Sequence, residues 1–99
     1  MALTHWGFLY TAPGCDPDRD VSIVETGACR TVLIGLDRPE QAPAAANRLV
    51  SEGVQLIELC GAFGPLWTAR VIEEIGAAVP VGSVGYGPEA TNGLHAIFS

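Results

Sequence analysis

Three short apolar runs most constrain the fold of this chain, because each is bounded by turn residues and is shorter than a typical buried helix. They read RTVLIGL (residues 30–36), VQLIEL (54–59) and VPVGSVGY (79–86). Runs of this length that are rich in apolar and β-branched residues predict strands. The first run is apolar almost throughout, which predicts a strand covered on both faces of its sheet.

The segments between these runs carry the start and stop signals of helices. We predict one helix over 43–52, with Pro43 in its first turn and Gly53 as its stop, and a second over 65–75 that begins at Pro65. Alternating strands and helices predict right-handed βαβ units. We therefore expect an α/β fold with a parallel sheet built from βαβαβ units.

Further strands are predicted near both ends of the chain. The segments are 5–11 (HWGFLYT), 21–25 (VSIVE) and 94–98 (LHAIF). We expect the terminal strands to extend the sheet, and an antiparallel orientation is open to them. The 99 residues are enough for a single domain, which we assign to residues 1–99.

The composition predicts self-association. The chain is 48% hydrophobic and only 16% charged, whereas charged residues usually make up about a quarter of a soluble protein. Surplus apolar surface on a small domain commonly lies in a subunit interface. We expect a homodimer or a higher homo-oligomer.

Charge and residue usage exclude several classes of function. Eleven acidic residues face five arginines and no lysine, so the net charge of −6 disfavours nucleic acid and leaves no basic patch for a membrane surface. Without lysine, neither a Schiff base on a side chain nor a P-loop is available.

The widely spaced cysteines and two histidines predict no metal site, and we expect no other cofactor. With neither a signal peptide nor a membrane-spanning run, we expect a cytoplasmic protein.

The stretch GVQLIELCGAFG (53–64) is the predicted functional site. Here a buried strand runs into a glycine-rich turn and the start of a helix, and ligands of parallel sheets gather at the carboxyl ends of the strands. We expect a small anionic molecule to bind there. The predicted ligand-binding residues are Gly61, Ala62, Phe63, Gly64, Tyr10, Tyr86 and His5.

Glu58 and Cys60 are the candidate catalytic residues. Glu58 is flanked by apolar residues, so we expect it to be desolvated, with a raised pKa suited to acid–base catalysis. The alternative is a structural glutamate paired with an arginine such as Arg30 or Arg70. Cys60 precedes a helix N-terminus, which favours a thiolate, but a buried structural thiol is the alternative reading.

Two resemblances involve this stretch. Its strand and loop resemble those of the tryptophan synthase α-subunit type of (βα)-barrel, which implies an acid–base role for Glu58; Cys60 stands where that barrel has glycine, and 99 residues cannot form eight βα units. Over its whole length, the chain resembles a small bacterial family of unknown function. The matching segments are Phe8 to Gly14 and Glu58 to Pro65 (ELCGAFGP).

The function predicted from these features is cofactor-independent acid–base catalysis, of the isomerase or lyase type, on a small anionic metabolite. Two alternatives remain open at this point. One is a module that binds such a molecule without chemistry, and the other is a structural domain whose apolar surface serves assembly.

Overall fold

The computed structural model describes residues 2–99 and contains five strands, three α-helices and two 3₁₀ turns. The strands are β1 (His5–Thr11), β2 (Val21–Glu25), β3 (Arg30–Leu36), β4 (Ile57–Leu59) and β5 (Val81–Ser83). The helices are α1 (Ala42–Ser51), α2 (Gly64–Glu74) and α3 (Thr91–Phe98). The 3₁₀ turns, Pro39–Gln41 and Pro88–Ala90, lead into α1 and α3.

The strands form one sheet in the order β2-β3-β1-β4-β5. β1 is parallel to both of its neighbours, β3 and β4, and β5 is parallel to β4, whereas β2 runs antiparallel to β3 at one edge. The predicted α/β fold with a parallel sheet is therefore confirmed. The expectation that the N-terminal strand extends the sheet is wrong, because β1 lies at its centre, with two strands on either side.

Helices α1 and α2 pack together on one face of the sheet. Gly7 of β1 makes room for α1: a β-carbon at this position would lie 2.5 Å from a methyl carbon of Leu49. Val71 of α2 is fully buried in the same cluster. The buried core consists of Leu9, Val32, Ile34, Leu36, Ala42, Ala45, Ala46, Leu49, Val54, Ile57, Leu59, Phe63, Val71 and Ile75.

The opposite face of the sheet, which we call the open face, has no buried side chain among its members. Its members are Trp6, Phe8, Tyr10, Ser22, Val24, Thr31, Leu33, Gly35, Glu58 and Gly82, which share register across the five strands. The prediction that β3 is covered on both faces is wrong for residues 2–99, because Thr31 and Leu33 remain partly exposed. Since α1 and α2 both pack on the face of Gly7, the other face receives no helix from them.

The ends of the chain hold the clearest differences from the predicted elements. The strand predicted over residues 94–98 is wrong, because these residues belong to α3. A five-residue apolar run fits a strand or a helix equally well, and here Leu94 and Phe98 lie one helical turn apart and line the same cavity. The strands predicted over 54–59 and 79–86 are shorter in the structure, at three residues each.

No helix within residues 2–99 is long and apolar enough to cross a membrane.

Candidate functional site

Two loops at the carboxyl ends of neighbouring strands meet in the structure. Gly61 follows β4 and Tyr86 follows β5, and the tyrosine ring lies directly over the glycine. A β-carbon on Gly61 would lie 2.5 Å from the Cε2 atom of Tyr86. The contact arises because β4 and β5 are adjacent and parallel, so their carboxyl ends open at the same edge of the sheet.

These loops and helix α3 line a half-open cavity of about 250 Å³, which we call the loop cavity. It is lined by Gly61, Ala62, Tyr86, Leu94 and Phe98. The predicted residues Gly61, Ala62 and Tyr86 are thus brought together. Leu94 and Phe98 were missed because the segment was predicted as a strand, yet their four-residue spacing was the available signal for one side of a helix.

Within residues 2–99, backbone N–H groups without hydrogen-bond acceptors lie in the turn between β4 and α2, beside the loop cavity. The N–H of Phe63 donates to the carbonyl of Cys60 at 3.3 Å, but the N–H groups of Gly61, Ala62 and Gly64 donate to no acceptor within the described chain, 2–99. Gly64 is the first residue of α2, so its amide belongs to the free N–H groups that every helix start carries. Such groups and the helix dipole favour a negative charge.

Phe63, predicted to bind ligand, lies in the core. Only 3% of its surface is exposed, and it belongs to the buried cluster beneath α2. Its side chain therefore does not line the loop cavity. The glycines around it turn the chain: Gly64 has a φ of +68°, a conformation that favours glycine.

Glu58 lies on the open face, in register with Phe8 of the central strand. The expectation that it is desolvated is wrong, because its side chain is exposed where no helix covers the sheet. It lines a shallow groove of about 210 Å³ with Gly82, Ser83 and Val84.

The expected structural partners of Glu58 are engaged elsewhere. Arg30 approaches Glu25 at 3.6 Å, and the guanidinium of Arg70 stacks over the ring of Trp67 at 4.4 Å. Within residues 2–99, no arginine forms a salt bridge with Glu58.

Cys60 is a free thiol that packs partly buried against the core. Its backbone N–H donates to the carbonyl of Leu9 at 3.0 Å, which ties the end of β4 to β1. Glu58 lines the groove beside β5, whereas Cys60 lines neither that groove nor the loop cavity. The structure therefore does not bring the two predicted catalytic side chains into one pocket.

His5 and Tyr10 lie away from the loop cavity. His5 begins β1, so it is at the amino edge of the sheet, and a seven-residue strand separates the two edges by about 20 Å. Its Nε2 atom is buried without a hydrogen-bond partner among residues 2–99. Tyr10 is near the carboxyl end of β1, but its hydroxyl reaches over Gly35 of β3. Strand β3 flanks β1 on the side opposite to β4, so the hydroxyl points away from the loop cavity.

A polar cluster that the sequence did not predict surrounds Cys15. Its sulfur and the Tyr10 hydroxyl both lie against Gly35. Partial burial, together with the charge of Asp20 and a hydrogen bond to it, raises the pKa of the Cys15 thiol. The pKa of Asp20 is lowered, chiefly by its hydrogen bond with Arg19, 2.8 Å away. Cys15 is therefore held as a neutral thiol, which suits packing better than nucleophilic chemistry.

Another cavity, of about 220 Å³, lies between the loop after β1 and helix α1. Arg48 lines it, and this side chain already donates to the carbonyl of Pro17 at 3.3 Å and approaches Glu52 at 3.8 Å. The cation is thus engaged by protein groups, which makes this cavity a poorer anion site than the loop cavity. No group of three or more metal-ligating side chains comes together within residues 2–99.

Comparison with known proteins places the whole fold in one family. A model of a family of unknown function (DUF6506) matches residues 4–99, which include every strand and helix described above. No curated protein and no solved structure matches the chain.

Proposed function

The chain belongs to DUF6506, a family of unknown function, and we propose that it is a binding module for a small molecule with an apolar body and one anionic group. The loop cavity is the proposed site. One observation carries the proposal: Gly61 and Ala62, whose backbone N–H groups have no acceptor within residues 2–99, line an apolar cavity at the start of α2.

The two parts of the ligand follow from the two parts of the cavity. Tyr86, Leu94 and Phe98 provide apolar and aromatic walls for the body of the molecule. The free amides provide hydrogen-bond donors for its carboxylate or phosphate. A volume of about 250 Å³ lies just below the range of about 300–1,000 Å³ for drug-sized ligands, so the ligand is of metabolite size.

Short-range interactions have to provide the affinity. The net charge of −6 repels an anion at long range, but salt screens this repulsion beyond about 8 Å at physiological ionic strength. Inside that distance, a helix N-terminus stabilises a negative charge by about 0.3–1 kcal/mol, and by more where the site is partly buried. Burial of the ligand body against the aromatic walls adds to this term.

A thermal-denaturation series with three probes tests the proposal. Benzoate has both an apolar body and a carboxylate, benzyl alcohol has only the body, and inorganic phosphate has only the charge. We expect benzoate to raise the Tm of the protein more than either partial probe at equal concentration and ionic strength. Equal Tm shifts from all three probes would contradict the proposal.

A second candidate function is acid–base catalysis of the isomerase or lyase type. The observation that favours it is the accessible Glu58 carboxylate, which lines a groove with Ser83 near the carboxyl ends of β4 and β5. In this hypothesis Glu58 is the general base, and Cys60 has a structural role, because its backbone N–H joins the end of β4 to Leu9 of β1. A Glu58→Gln variant that retained full turnover of an identified substrate would exclude it.

The proposal includes a cytoplasmic location. It is supported by the three cysteines, Cys15, Cys29 and Cys60, which are all free thiols, as is usual in a reducing compartment.

A further inference from the structure

We propose that the open face of the sheet is the contact surface between two copies of this chain. The first argument is the architecture. Four of the five strands are parallel, and sheets of this kind are almost always covered on both faces. Here α1 and α2 cover one face only, so a second layer must come from outside the described chain.

The open face carries a row of aromatic side chains along its central strand. The rings of Trp6 and Phe8 meet edge to face, with centroids 6.5 Å apart, and those of Phe8 and Tyr10 stack at 6.3 Å. Leu33 and Val24 extend the apolar surface toward β2, and Val24 is 52% exposed. Because β1 is the middle strand, the row lies at the centre of the face. Aromatic residues at the centre of a patch are typical of interface cores.

The exposed area fits a dimer of standard size. The chain exposes 5965 Å² at a mass of 10.3 kDa, whereas a compact monomer of that mass exposes about 5,400 Å². The excess of about 600 Å² belongs to the whole chain, including α3, and is of the same order as the area of about 800 Å² that each partner buries in a standard interface. The radius of gyration agrees, at 13.9 Å against about 12.6 Å for a compact chain of this length.

The distribution of charge favours a second copy as the occupant. The chain carries a net charge of −6, but Glu58 is the only charged member of the open face. The Arg19–Asp20 ion pair beside Cys15, at the Gly35 end of the face, has no net charge. Two such faces can therefore meet with one carboxylate each, while the remaining acidic residues stay in solvent. A partner that recognised charge would find almost none here, whereas an isologous contact needs only the same apolar patch on both chains.

Analytical ultracentrifugation of the full chain tests the proposal. We expect the wild-type protein to sediment at twice the 10.3 kDa of one chain. A Phe8→Glu substitution places a charge at the centre of the patch and should weaken the dimer at least about 100-fold. The matched controls are Leu66→Glu on α2 and Ile97→Glu on α3, which change exposed apolar residues elsewhere and should leave the dimer intact.

A fluorescence measurement keeps the test valid if Phe8→Glu does not fold. A Trp67→Phe variant retains Trp6 as its single tryptophan, on the open face. We expect its emission to shift to longer wavelength on dilution as the dimer dissociates. If the wild-type protein still sedimented as a monomer at about 100 μM, which is well above a dimer dissociation constant of about 1 μM, the proposal would be overturned. A dimer that Ile97→Glu disrupts and Phe8→Glu does not would also overturn it, since the contact would then involve α3.

Discussion

The ring of Tyr86 covers Gly61 so closely that only a hydrogen fits between the glycine and the Cε2 atom of the tyrosine. The relationship joins the ends of β4 and β5 and forms one wall of the loop cavity. A side chain at position 61 would therefore displace the ring of Tyr86. The proposed binding site can therefore be tested with single methyl groups.

A Gly61→Ala substitution should abolish benzoate binding at little cost in stability. The added methyl forces the Tyr86 ring out of its position, and because that ring is 60% exposed it can move without disturbing the core. We expect the Tm shift with benzoate to disappear, while the free energy of unfolding changes by less than about 1 kcal/mol. Gly82→Ala is the matched control, because its β-carbon meets no atom within 4 Å. An unchanged benzoate response in Gly61→Ala would exclude the loop cavity as the site.

A Gly7→Ala substitution should destabilise the fold. Its β-carbon would lie 2.5 Å from Leu49, which is fully buried between α1 and the sheet. Overpacking of this kind costs about 1–3 kcal/mol, which urea denaturation would detect. Adding Leu49→Val should recover part of the loss by removing volume at the point of contact. Equal stability of wild type and Gly7→Ala would mean that α1 does not pack on this face.

A Gly93→Ala substitution should stabilise α3. Gly93 is a solvent-exposed residue in the middle of α3, and an added β-carbon would meet no atom within 4 Å. Alanine therefore increases the helix propensity without a steric clash. The gain is about 0.5–1 kcal/mol for the helix. Since no residue of α3 is buried, the helix can unfold locally, and we expect greater protection from hydrogen exchange within residues 91–98 with little change in global Tm.

Alkylation of Cys15 should require a higher pH than that of an unperturbed thiol. Burial and Asp20 raise the pKa of Cys15, so the native state favours the neutral thiol. The resulting stabilisation is complete below the unfolded-state pKa of the thiol and is lost as the pH rises through the higher native pKa. Replacing Asp20 by Asn removes its negative charge and should lower the pH at which Cys15 reacts with iodoacetamide.

Mass spectrometry of the labelled peptides separates Cys15 from the other two cysteines at each pH. Asp18→Asn is a suitable control, because Asp18 lies in the same loop and does not contribute to the raised pKa of Cys15. If Asp18→Asn and Asp20→Asn changed the pH profile equally, a specific effect of Asp20 on the thiol would be excluded.

Much of the fold could be predicted from local signals. Strands β1, β2 and β3 have the predicted bounds, and α1 and α2 begin and end within one residue of their predicted limits. These elements have strong hydrophobic periodicity and clear proline and glycine boundaries. The five-residue segment LHAIF was too short for its spacing to distinguish a helix from a strand, and α3 was missed.

The candidate site was predicted less completely. Gly61 and Tyr86 were both predicted at the site, and the adjacency of β4 and β5 brings them together, but the surroundings of Glu58 did not follow from its apolar neighbours in the chain. Alternation along a strand determines which residues share a face, yet it does not say whether that face is covered. Glu58 is exposed because both helices pack on the other side.

The sequence by itself determined where the five strands and the first two helices lie along the chain and that the sheet is mainly parallel, because these depend on periodicity and on the conformational limits of glycine and proline, which act over a few residues. Only the tertiary structure decided that both helices pack on one face, that α3 forms one wall of the loop cavity and that Glu58 is exposed while Cys60 packs against the core. Those outcomes depend on contacts between residues distant in the chain, such as Gly7 with Leu49. The physical reason is that close packing selects one arrangement among several that the same local pattern allows.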